Sequence, residues 1–134
     1  MSPSRSSKIA LAVATVPLAL FASAMTSPPH RPLDTIPPAR VTGRAVDCVP
    51  LSQLRDSRVR DDRTIDFVNV GRTGWRVTLP QSCPGLGSER AFSYATSLSE
   101  LCSTDIIHVI HQGGGPYIGA SCGLGRFVPI ELAR

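Results

Sequence analysis

Several short stretches carry side chains whose types and spacing could do chemistry. Gly119-Ala120-Ser121-Cys122-Gly123 fits the G-x-S-x-G pattern of a serine nucleophile. That pattern works when a sharp strand-to-helix turn exposes the hydroxyl above a parallel sheet, with an acid and a histidine later in the chain. Here Glu131 is the only later acid and no histidine follows. His108 and His111 form an H-x-x-H, a metal spacing on a helix; on a strand an offset of three turns the rings to opposite faces. Arg55 to Phe67, RDSRVRDDRTIDF, packs four arginines and four aspartates into thirteen residues. Asp61, Asp62 and Asp66 have the oxygens a hard cation wants, but their spacing matches no calcium loop, and Arg60 and Arg63 beside them oppose a cation. Gly113-Gly114-Gly115-Pro116 lacks the Gly-Lys-Ser/Thr continuation of a phosphate loop and reads as a hairpin loop. No acid–base or nucleophile constellation emerges, so a non-enzyme without cofactor or metal is expected.

The elements that must position these residues read as short strands separated by turns. Thr64 to Val70 and Trp75 to Leu79 are rich in β-branched and aromatic residues, with GRTG between them. Further strands are expected at Ala91–Thr96, Asp105–Gln112, YIGASC and RFVPIEL. Ser97 to Glu100, SLSE, fits a capping box and predicts one short helix. The fold class is mainly β, a small antiparallel sandwich or barrel of about six or seven strands with two disulfides. If Arg58 to Arg60 pairs with the Thr64 strand across Asp61-Asp62-Arg63, Val59 stands opposite Ile65 and Ser57 opposite Phe67. A like loop at Gly71-Arg72-Thr73 sets Phe67 opposite Val77 and Ile65 opposite Leu79. The hydrophobes then share one face, and the other carries Arg58, Arg60, Asp66 and Arg76. That second face is expected to be solvated, and it is the candidate partner-binding face.

The ends and the charge set the compartment. A basic start with Arg5 and Lys8, the apolar run Ile9 to Ala22 and the Ala22-Ser23-Ala24 pattern predict a signal peptide over residues 1–24. The run is too short to span a bilayer, so no stable membrane insertion is expected once it is cleaved. Residues 25–43 hold five of the twelve prolines and read as a tether, leaving 44–134 as one β domain. The net charge of +4 falls to +2 without Arg5 and Lys8, and the 44–134 domain carries ten basic against nine acidic residues. So balanced a domain has no footprint for nucleic acid. Cys48, Cys83, Cys102 and Cys122 all fall in the domain without a C-x-x-C pair, which predicts two disulfides. Three connectivities are possible; Cys83–Cys102 with Cys48–Cys122 is favoured because it closes a turn-rich excursion and joins the domain ends.

VRDDRTIDF, LPQSCPGLG, FSY, LCSTDII and SCGLGRF, in this order, resemble a family of small exported proteins of Gram-negative bacteria that is classified only as a domain of unknown function. The resemblance covers about residues 44–128. It implies export and a compact disulfide-bearing domain, and it brings no activity or ligand. The expectation is a monomeric, periplasmic or secreted, non-enzymatic binding or envelope-associated module, whose partner is an unknown protein or envelope component. An inhibitor of a foreign hydrolase such as a lysozyme or protease is the alternative, with GSERAFS or HQGGGPYIG as the presented loop.

Overall fold

Alternating apolar residues and tight turns build the first hairpin. The computed structural model describes residues 36–96, 98–115 and 117–133. Strand β3 (Asp56–Val59) turns through Asp61-Asp62-Arg63 into β4 (Thr64–Val68), and Asp61 Oδ1 accepts the Arg63 N–H at 2.7 Å to hold the turn. The register is the expected one: Val59 faces Ile65, Arg58 faces Asp66 and Ser57 faces Phe67. Strand β5 (Thr73–Thr78) follows a turn in which Gly71 has φ +74°, a conformation that suits a residue without Cβ. Phe67 here faces Trp75 and Ile65 faces Val77, two residues away from the expected register. The Asn69 N–H donating to the Thr73 carbonyl closes the turn around Val70-Gly71-Arg72. A shift of two preserves side-chain parity, so the residues on each face are those expected.

The rest of the chain supplies the strands expected from Ala91 onward, together with three short ones that the sequence does not reveal. In chain order, β1 (Ala39–Val41) and β2 (Cys48–Pro50) precede the hairpin; after β5 come the helical turn α1 (Leu86–Glu89), β6 (Phe92–Tyr94), β7 (Glu100–Cys102), β8 (Ile106–His111), β9 (Tyr117–Gly123) and β10 (Phe127–Leu132). They form three antiparallel sheets ordered β1-β10-β5-β4-β3, β2-β7 and β6-β8-β9. The ten described strands exceed the six or seven expected, because several have only three residues. β1 lies inside the segment read as tether: Val41 pairs with Ile130, and β1 takes the sheet edge, where the two prolines before it need no partner for a missing N–H. The short helix is at Leu86–Glu89 rather than at the capping box. Of that box Ser97 lies outside the described residues, and Glu100 is in β7 instead, where pairing with β2 overrides the local helical signal.

The disulfides are Cys48–Cys102 and Cys83–Cys122, a correction to the favoured connectivity. Strand pairing decides it. Ser103 N–H donates to Asp47 O and Leu51 N–H to Ser99 O, so Cys48 and Cys102 form a non-hydrogen-bonded pair between them, where cross-strand side chains come closest. That leaves Cys83, in the loop after β5, to reach Cys122 on β9.

One core lies between the sheets. Val59, Ile65, Phe67, Val77 and Phe127 from the large sheet meet Ile107 and Val109 of β8, Val49 and Leu101 of the β2–β7 pair, and Leu86 of α1. Phe67 sits at its centre, edge-on to Phe92 at 6.2 Å and 5.8 Å from Phe127.

Candidate functional site: an ionic cluster and the groove beside it

Period-two alternation sends Asp66 to the face of β4 away from that core, but the face is covered. Asp66 is wholly buried and Thr64 and Val68 nearly so, which corrects the expectation of a solvated surface. β4 lies between β3 and β5, and the long arginine side chains from β5 and from just after β3 fold over it. Arg76 grips Asp66 with both arms of its fork, Nε to Oδ1 at 2.7 Å and Nη2 to Oδ2 at 2.9 Å. Arg60 Nε adds 2.8 Å to Oδ2, and Arg76 Nη2 also reaches the Pro37 carbonyl at 3.0 Å. Burial pushes the Asp66 carboxyl up, but the hydrogen bonds and charges of Arg76 and Arg60 outweigh it and hold the group below its ordinary value. The Asp66 contact raises Arg76 in return. Of the four residues expected on one open face, three form this cluster. Arg58, although opposite Asp66 in register, pairs instead with Asp56 at 3.2 Å where both are more than half exposed.

Arg60 also lines a groove of about 430 Å³ between the β3–β4 turn and the loop that carries α1. Asp61, Asp62 and Arg63 form one wall, Gly87 and Arg90 part of the other. The walls are tied together. Asp62 accepts the Cys83 N–H through its carbonyl and the Gly87 N–H through Oδ1, both at 2.7 Å. A Cβ at residue 87 would crowd Asp61 and Asp62, so glycine is what allows the walls to approach. Arg63 donates to the Leu79 carbonyl at 3.0 and 3.2 Å, and the Cys83–Cys122 bond anchors the loop to β9. The sequence pointed to the two stretches separately; their meeting depends on contacts about 25 residues apart and leaves no local signal.

The other reactive side chains separate. Ser121 Oγ and His108 Nδ1 are 2.8 Å apart as a cross-strand pair, yet GASCG lies within β9 and makes no strand-to-helix turn. His111 turns to the other face of β8, meets Glu89 Oε1 at 2.8 Å and stacks on Tyr117 with centroids 4.6 Å apart. The hydrogen bonds from His111 and from the Gln112 N–H hold Glu89 below the usual carboxylate range. Cys48, Glu100 and Cys102 converge, but both sulfurs are spent in their disulfide. Asp61, Asp62 and Asp66 do not converge, being engaged by the Arg63 N–H, the Gly87 N–H and the arginine pair. These features define a disulfide-stapled antiparallel β domain with a rigid, mixed-charge groove. No family model, curated protein or solved structure matches this chain.

Proposed function

We propose that this chain is an exported, periplasmic or secreted, non-enzymatic binding module that seats an unknown protein or envelope component in the groove beside Arg60. The observation that carries the reading is the groove's construction: two charged segments locked to each other by Asp62 and to the sheet by a disulfide, so that little ordering remains to oppose binding. Export is supported by the two disulfides, which suit an oxidising compartment, by the basic-apolar start of the sequence and by the resemblance to a family of exported Gram-negative proteins. Among the described residues no helix is long and apolar enough to cross a membrane.

The second reading, an inhibitor of a foreign hydrolase, draws on a different place. The Gly113–Gly115 turn is exposed, and Tyr117 and Ile118 beyond it are 58 % and 70 % exposed, which suits a presented loop. One experiment separates the two. The immobilised 25–134 chain is challenged with envelope extract beside two folded variants, Ser88→Trp, which fills the groove from its exposed rim, and Tyr117→Ala. Specific capture lost only in Ser88→Trp supports the groove; loss only in Tyr117→Ala transfers the function to the loop; capture unchanged in both sinks both.

A further inference from the structure

At the end of β4 and β5 away from the groove lies a cavity of about 170 Å³ lined by side chains from four separate segments. Thr42 follows β1 and donates its N–H to the Pro129 carbonyl; Gln53 ends the 3-10 turn Leu51–Gln53; Asn69 and Thr73 flank the β4–β5 turn. Trp75 and Pro129, cross-strand partners on β5 and β10, supply an apolar wall. Among the described residues no charged one lines it. Thr73 Oγ1 donates to the Val70 carbonyl, but the side chains of Thr42, Gln53 and Asn69 and the indole N–H of Trp75 make no hydrogen bond among the described residues. None of these polar atoms is buried and unsatisfied, so all of them reach solvent.

An aromatic and proline wall rimmed by two unengaged amides and two hydroxyls fits an uncharged molecule that is apolar on one face and hydroxylated at its edge. A pyranose ring has that form: its C–H face packs on an aromatic side chain, and its hydroxyls both donate and accept, as amides do. An anion or a cation would find no counter-charge here. The volume is below that of a drug-sized site, so it holds one ring, with the rest of any chain outside. We propose that this pocket is a saccharide subsite taking one neutral pyranose unit, with Trp75 as platform and Gln53 and Asn69 as the hydrogen-bonding groups that orient it. The proposal goes beyond the groove reading and stands without it.

Trp75 is the only tryptophan in the chain, so its emission reports on this pocket directly. Maltotriose, cellotriose and the trisaccharide of N-acetylglucosamine, each titrated to about 20 mM, are the probes. At least one should give a saturable change in emission, and Gln53→Ala and Asn69→Ala should each weaken it about tenfold while melting as the parent does. No saturable change with any of the three overturns the proposal, as does a change that both folded variants reproduce in full. Should a variant fail to fold, the ¹⁵N side-chain amide signals of Gln53 and Asn69 in the parent decide. Movement on titration supports the subsite; fixed signals while others move place the sugar elsewhere and overturn it.

Discussion

Asp66 keeps its charge without any exposure to water because three guanidinium hydrogen bonds replace the lost hydration. A buried pair of this kind adds little over a well-packed apolar alternative, yet removing one partner strands the other. Asp66→Asn should therefore lower the unfolding free energy by about 3–5 kcal/mol, and Arg76→Gln by a similar amount, whereas Arg58→Gln on the exposed pair should change it by less than about 1 kcal/mol. Urea titrations of the three variants check this ordering. The acid limb of stability follows from the same group. Its folded-state value lies below the ordinary 3.8, so between the two values the unfolded chain binds more protons than the folded one. Its stabilisation is complete above the ordinary value and disappears as pH falls through the depressed one. Urea midpoints measured from neutral pH downward should drop steeply below about pH 4, and Asp66→Asn should flatten that drop.

Strands β4, β5 and β10 approach one another closely enough that one position excludes a side chain. A Cβ at Gly74, on β5 opposite Val68 and Ile130, would collide with the Phe67 backbone carbonyl, and backbone cannot rotate aside. Gly74→Ala should cost about 1–3 kcal/mol. Gly123 on β9 is the control, since nothing lies near its Cβ direction; Gly123→Ala should be neutral or stabilising by about 0.5–1 kcal/mol. Thermal melts of the pair test whether sterics, rather than strand propensity, sets the difference. Hydrophobic alternation in TIDFV and WRV gave the faces of β3, β4 and β5 correctly, because parity survives a two-residue slip in register. β1, β2 and β7 have only three residues each, too few for any period to register, and the connectivity favoured for the cysteines failed because it followed sequence distance while β2–β7 pairing set the contacts. The burial of Asp66 has a different cause. Alternation places it between two arginine-bearing strands, but carries no sign that Arg76 and Arg60 fold inward over the carboxylate, with Arg76 also bound to the Pro37 carbonyl.

At the scale of the whole molecule, two crosslinks fasten parts of a small domain that secondary structure alone holds weakly. Cys48–Cys102 clamps a two-stranded sheet, a unit marginal by itself, and Cys83–Cys122 fixes the groove loop to β9. Each bond contributes about 2–4 kcal/mol when formed, which makes the groove and the fold dependent on the compartment in which the chain matures. The proposed function requires that the chain leave the cytoplasm and that both bonds close. Mass analysis of the protein recovered from periplasm and medium, alkylated without reduction and then digested, addresses this most directly. An exported chain should begin at Met25, carry no alkylated cysteine, and yield linked peptides joining Cys48 to Cys102 and Cys83 to Cys122. A chain found only in the cytoplasm with residues 1–24 retained and its four cysteines alkylated would contradict the proposed function.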